Sequence, residues 1–241
     1  MENIKLKNKC GITIEATLQK ADTNKESIVV FCHGLMSTKN RSKLKELGEI
    51  FSKNNINFIR FDFLGCGNSG DYLISAKDEV EDLKTIIEFL KSKGFSNIGL
   101  LGESFGGLVS CLTYSRDIKT IVLWAPLTNA KVHYLWNEKR EIIEKQGYVE
   151  VKKREKIHKL SKEFFMETNS INQENILSNI KCPVLIIHGD EDKTIPLEHS
   201  KSAMKYLSKD SILEIVKGGS HYIDEFDETF KLTIDWFKKN L

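Results

Sequence analysis

Ile98-Gly99-Leu100-Leu101-Gly102-Glu103-Ser104-Phe105-Gly106 is the stretch on which the reading of this chain turns. Ile98–Leu101 is a short apolar run of the kind that forms a buried strand. Beyond the run, Leu108, Cys111 and Leu112 fall at helical spacing. A strand that reverses into a helix within a couple of residues forces the residue at the bend into a strained backbone conformation. Glycines two before and two after Ser104 leave room for neighbouring chains. The serine hydroxyl then stands above the sheet edge at a helix N-terminus, where the dipole favours developing negative charge. G-x-S-x-G alone is common; between a strand and a helix it marks a nucleophile.

Working outward, similar runs recur at Ile28–Cys32, Phe58–Phe63, Ile121–Trp124 and Val184–Ile187. They are continuous and rich in β-branched residues, as strands buried on both faces of a parallel sheet are. Helical periods lie between and after them: Leu44, Leu47 and Phe51; Val80, Leu83, Ile87 and Leu90; Ile223, Phe226, Phe230, Ile234 and Phe237. Strand–helix alternation with right-handed crossovers predicts an α/β fold, a mostly parallel doubly wound sheet. The first 20 residues differ. Ile4 and Leu6, then Ile12, Ile14, Ala16 and Leu18, alternate around Lys9–Gly11, which predicts an N-terminal antiparallel hairpin.

Composition narrows the function classes. With 36 Lys+Arg against 34 Asp+Glu, the net charge of +2 offers no footprint for nucleic acid or an anionic membrane surface. The longest apolar runs are far too short for a membrane span. Cys10, Cys32, Cys66, Cys111 and Cys182 are scattered and include no CxxC, so neither a disulfide framework nor a zinc knuckle follows. Met1–Cys10 is charged and carries no apolar core, so no signal peptide is read there. The cytoplasm is the expected compartment.

Residues 127–182 break the rhythm. The stretch is polar, helical in pattern and without a strand-like run, which predicts two or three helices inserted between sheet strands. Pro126 and Pro183 bracket it. Its basic run Lys152–Lys156 reads as a solvated helix face. Its aromatics either pack on the sheet domain or line a lid over a pocket.

A nucleophilic serine needs a base, and the base needs an orienting acid. Among six histidines, His221 stands in Gly218-Gly219-Ser220-His221, after the strand-like Ile212–Val216 and before the last helix. Ligand sites in open α/β sheets lie at that strand edge. His133, His158 and His199 fall on helix patterns among charges, which predicts surface positions. Candidate acids cluster in His188-Gly189-Asp190-Glu191-Asp192, just past Val184–Ile187, and spacing alone does not separate Asp190 from Asp192. His188, Asp190, Asp192 and His199 have no recognised metal-ligand spacing, so no metal is expected.

On these residues the chain resembles the α/β-hydrolase superfamily over nearly its whole length. Ser104, Asp192 and His221 follow the order that fold uses. His188–Pro196 resembles the family's H-G-x-x-D-x-x-V-P stretch, which implies Asp192 as the triad acid and Asp190 as a turn residue. His33-Gly34-Leu35 resembles the family's H-G-x loop, which implies that the backbone N–H groups of Leu35 and Phe105 form the oxyanion hole. Gly65-Cys66-Gly67-Asn68-Ser69-Gly70 satisfies the dinucleotide fingerprint on paper. The helical period begins only near Ser75–Val80, and Asp62, Gly65, Gly67 and Ser69 better resemble the family's D-x-x-G-x-G-x-S. No cofactor is expected.

The resemblance implies a core of residues 1–126 and 183–241 with residues 127–182 as a small helical cap, similar in size to that of cinnamoyl and feruloyl esterases. It also resembles the serine aminopeptidase-like and monoacylglycerol lipase-like branch. The implied activity is a serine carboxylesterase acting on a small-molecule ester, aryl or short-chain. The alternatives are an acyl-peptide hydrolase or thioesterase on the same three residues, and a non-enzymatic binding fold. His33, Tyr134 and Trp136 are the candidate substrate contacts, the last two through stacking on an aryl group.

Overall fold

The computed structural model describes residues 1–24, 26–129 and 133–241. The chain opens with β1 (Glu2–Lys7) and β2 (Thr13–Gln19), an antiparallel pair with Ile4 opposite Ala16, as the alternation predicts. Then come β3 (Ser27–Cys32), α1 (Ser42–Lys53), β4 (Asn57–Phe61), the two-residue β5 (Leu73–Ile74), α2 (Ala76–Ser92), β6 (Asn97–Glu103), α3 (Phe105–Thr113) and β7 (Ile118–Trp124). The stretch 127–182 holds α4 (Tyr134–Gln146), β8 (Tyr148–Lys153), β9 (Lys156–Ser161), α5 (Lys162–Asn169) and α6 (Gln173–Leu177). The chain returns to the sheet with β10 (Val184–Gly189), α7 (Glu198–Ala203), β11 (Ile212–Val216) and α8 (Asp227–Asn240).

The main sheet runs β1-β2-β4-β3-β6-β7-β10-β11. From β4 to β11 all neighbours are parallel, which requires helical crossovers on both faces. Every residue of β3 is buried, which accounts for its unbroken apolar run. One face carries α1 and α8, whose Leu44, Leu47, Phe51, Phe230, Ile234 and Phe237 pack on Val29, Phe31, Phe58 and Trp124. The other face carries α2 and α3, and its apolar cluster continues into Leu160, Phe164 and Phe165 of the inserted stretch. Among the described residues no helix is long and apolar enough to cross a membrane.

Several expectations need correction. Residues 127–182 are not helical throughout: β8 and β9 form an antiparallel hairpin, and β9 also pairs in parallel with β5. The run Lys152–Lys156 is therefore the tip of that hairpin, not a helix face. His158, expected on a surface helix, lies buried on β9 with Nδ1 3.0 Å from the Gly65 carbonyl oxygen. The last helix also starts later than its period suggests, because Ile223–Glu225 form a separate short 3₁₀ turn.

The topology selects where a site can form. From β3 the chain moves outward to β4, then crosses back to β6 on the other side of β3. That switch point opens a crevice beyond the C-terminal ends of β3 and β6. The loops after β3, β6, β10 and β11 carry His33–Leu35, Ser104, Asp190–Asp192 and His221 respectively.

Candidate active site

Ser104 takes φ 53° and ψ −115°, a left-handed conformation unusual for a residue with a Cβ. The surroundings over-determine it. Its N–H donates to the Trp124 carbonyl at 2.8 Å, and its own carbonyl accepts from Gly107 N–H at 3.0 Å and Leu127 N–H at 3.0 Å. A Cβ on Gly106 would run into the carbonyl oxygens of Cys32 and His33, so glycine is what lets the bend pack against the loop after β3.

Three side chains predicted from sequence meet there. Ser104 Oγ lies 3.0 Å from His221 Nε2, and His221 Nδ1 lies 2.7 Å from Asp192 Oδ2. A carboxylate can only accept, so Nδ1 carries the proton and Nε2 accepts from the serine hydroxyl. Asp192 Oδ1 accepts from the N–H groups of Thr194 at 2.7 Å and Ile195 at 2.9 Å, which locks the carboxylate plane. Its Oδ2 also lies 3.1 Å from Nε2 of the buried His188. Burial alone would raise the Asp192 pKa, but the hydrogen bonds from His188, His221 and Ile195 hold it well below the usual carboxylate range. Asp190 is spent elsewhere: its Oδ1 accepts from Gly218 N–H at 2.6 Å and shapes the loop that carries His221.

His33 is fully buried and does not line the cavity, so the expectation that it touches substrate is corrected. Its Nε2 accepts from Phe63 N–H at 3.1 Å, which leaves Nδ1 to donate to the Gly34 carbonyl at 2.8 Å. Burial pushes its pKa down to about 4, so the ring is neutral and that tautomer is the one the contacts require. In a trans peptide the C=O and N–H point opposite ways. Fixing the Gly34 carbonyl therefore fixes the direction of Leu35 N–H. Neither Leu35 N–H nor Phe105 N–H has a protein acceptor among the described residues, and both residues line the cavity beside Ser104.

The cavity measures about 480 Å³. Apolar walls come from Leu35, Met36, Phe105, Leu127, Tyr134 and Phe164. Tyr134 lies where the sequence places it, but Trp136 does not line the cavity; it packs on Phe165, with Arg140 over its ring. Successive helix residues are about 100° apart, so two residues separated by two positions on α4 face nearly opposite ways.

Sequence reasoning missed the charged part of the lining. Glu103, the residue before Ser104, is buried and bidentate with Arg41, at 2.9 Å and 2.7 Å. Arg41 also reaches Asp224 at 3.4 Å. A carboxylate beside a buried elbow must find a cation, so the signal for a partner was present in the motif, though not its identity. Lys153 and Arg154, at the hairpin tip, complete the charged lining. Asp62, the first residue of the D-x-x-G-x-G-x-S stretch, accepts from Lys39 N–H at 2.6 Å and Asn68 N–H at 2.9 Å, and α2 begins only at Ala76. The loop thus wraps a carboxylate and opens no helix, unlike a dinucleotide site. Among the described residues no cluster of histidine, cysteine and carboxylate groups suits a metal.

A Ser–His–Asp relay at the switch point of a mostly parallel sheet, with two unused backbone donors beside the serine, defines an α/β hydrolase. Residues 23–169, more than half of the chain, match the sequence model of the family described as serine aminopeptidase, S33, and the chain belongs to that family. Human serine hydrolase BPHL is 28% identical over 176 residues, 61% of this chain and 58% of that protein. The chain thus spans little more than half the length of that relative. A putative esterase/lipase 2 of Mycoplasma pneumoniae is 24% identical over 250 residues, covering 86% of this chain and 91% of that protein. Est1E of Butyrivibrio proteoclasticus, solved with ferulic acid bound, superposes with a TM-score of 0.78 at 19% identity, over 98% of this chain and 96% of that one. At that identity the likeness shows the shared fold.

Proposed function

We propose that this protein is a serine hydrolase that cleaves carboxylic esters through an acyl-enzyme. The observation that carries the proposal is the relay, Ser104 Oγ to His221 Nε2 at 3.0 Å and His221 Nδ1 to Asp192 Oδ2 at 2.7 Å. Ser104 Oγ attacks the ester carbonyl carbon as its proton passes to His221 Nε2. The carbonyl oxygen becomes an oxyanion held by Leu35 N–H and Phe105 N–H. Asp192 stays ionised and stabilises the imidazolium. His221 then gives its proton to the departing alkoxide, and the alcohol leaves. Water repeats the steps on the acyl-serine and releases the acid. The same relay serves thioesters and amides, which differ in the leaving group. No cofactor enters this sequence.

In this reading residues 127–182 act as a cap over the relay, since His133, Tyr134, Lys153 and Phe164 all line the cavity from that stretch. An aminopeptidase must hold a substrate ammonium group. Lys153 and Arg154 at the mouth repel one, and the lining carboxylate Glu103 is already paired with Arg41, which favours esters over N-terminal amines. Ser104→Ala should abolish release of p-nitrophenol from short acyl esters while the protein keeps its fold by circular dichroism. Turnover near the wild-type rate in that variant would refute the mechanism.

A further inference from the structure

We propose that the acyl part of the substrate carries an anionic group, carboxylate or phosphonate-like, which Lys153 and Arg154 hold at the mouth of the cavity. The inference rests on the esterase reading above and names its substrate class.

Both cations line the cavity, and neither has a carboxylate partner among the described residues. This contrasts with Arg41, the third cation of the lining, which is neutralised by Glu103 and Asp224. Lys153 Nζ donates to the Leu35 carbonyl oxygen at 3.1 Å, so its ammonium stands one peptide unit from a proposed oxyanion donor. On the same hairpin Lys156 Nζ donates to the Gly67 carbonyl at 3.1 Å and pins the tip to the core. Partial desolvation, followed by repulsion from Arg154, lowers the Lys153 pKa, and the more distant attraction of Glu103 offsets this only in part.

The backbone adds an independent observation. Lys153 and Lys156 are paired across the hairpin, which leaves Arg154-Glu155 as a two-residue turn. Arg154 is the first of these and has φ 55°. Hairpins ordinarily place glycine at such a position, because a Cβ is strained there. An arginine kept in a glycine conformation, with its side chain at the cavity mouth, indicates a role for the side chain.

The position of the cations assigns the anion to the acyl part. In the tetrahedral intermediate the oxyanion points to Leu35 and Phe105, and the leaving oxygen points to His221. Lys153 reaches the Leu35 carbonyl, beside an oxyanion donor, and makes no hydrogen bond to His221, which favours the acyl part over the leaving alcohol. The cavity that holds the serine and the cations also has apolar walls, from Leu35, Met36 and Phe105. The substrate that fits is therefore an apolar acyl chain ending in an anion.

The test uses p-nitrophenyl esters of one acyl length: pentanoate as the neutral ester, glutarate as the carboxylate, phosphonobutyrate as the phosphonate, and trimethylammoniobutyrate as the cation. The readout is the ratio of kcat/KM for each charged ester to that of the neutral one, so general losses cancel. A charge-assisted contact is worth about tenfold. Wild type should favour one or both anionic esters by about tenfold, and whichever is faster identifies the anion. Arg154→Gly relaxes the turn, so the protein should be at least as stable, yet the preference should fall. Lys153→Glu with Arg154→Glu should invert it toward the trimethylammonio ester. Turnover with no anionic preference in wild type, or a preference that survives both variants, overturns the inference and leaves the serine mechanism standing. Absence of turnover with every ester overturns the mechanism, and the inference with it.

Discussion

Replacing Ser104 by glycine should make the protein more stable than replacing it by alanine, although both variants lose the proposed nucleophile. The Ser104 backbone sits at φ 53°, ψ −115° and is held there by the Trp124 carbonyl, the Leu127 N–H and the start of α3. A Cβ in such a region costs roughly 1–3 kcal/mol, which serine and alanine both bear and glycine does not. Glycine gives back about 0.4–1 kcal/mol through its more flexible unfolded chain. The hydrogen bond from Oγ to His221 is lost in both variants and cancels. The net expectation is that Ser104→Gly exceeds Ser104→Ala by about 0.5–2 kcal/mol. Urea denaturation of the two variants, followed by tryptophan fluorescence with a common m-value, measures the difference directly. A glycine variant equal to or less stable than the alanine variant would refute the claim that strain is stored at the elbow.

Other expectations follow from buried charge and from the loop after β3. Glu79 and Asp82 of α2 are buried, and both Glu79 carboxyl oxygens lack a partner among the described residues. Burial pushes the Asp82 carboxyl up to about 7 and raises Glu79 well above its ordinary value. A raised acid favours the protonated fold, so the stability it contributes is complete near pH 4 and is lost as the pH rises through about 7. Three pH units at about 1.4 kcal/mol each make Asp82→Asn gain roughly 4 kcal/mol on wild type between about pH 4 and about pH 8. A pH-independent difference in urea midpoints would contradict this. Asp192→Asn should lower kcat about 10⁴-fold by misplacing the imidazole tautomer. Asp190→Asn keeps the acceptor for Gly218 N–H and should change kcat only a few-fold; similar losses in the two would show the wrong acid was assigned. His33→Ala should cut kcat by roughly 10²-fold with a smaller change in KM, since it frees the peptide that aims one proposed oxyanion donor. An unchanged kcat would sever that link.

The elbow was legible because its signals are local: an apolar strand, a glycine on each side of the serine and a helical period follow one another within a few residues. The proposed base was legible for a related reason, since a glycine pair after Ile212–Val216 places His221 at a strand end. Asp192 was not separable from Asp190 by spacing. The difference lies in which backbone amides each carboxylate meets, Gly218 for one and Thr194 and Ile195 for the other, and these contacts depend on the folded loop. The hairpin of β8 and β9 was missed because its turn lacks the expected glycine; Arg154 takes the positive φ instead. With the turn unrecognised, Val149 and Val151 read as part of a polar helical stretch. The charged lining was missed with it, because Lys153 and Arg154 acquire their meaning only once the hairpin folds over the loop at Leu35.

The central claim is that His221 and Asp192 activate Ser104 for attack. Intact-mass and peptide mapping after treatment with a fluorophosphonate probe tests it most directly. The account predicts a single adduct on Ser104 in the folded protein, absent after unfolding in urea and slowed by orders of magnitude in His221→Ala. No adduct on Ser104, or labelling that is indifferent to His221, would contradict it.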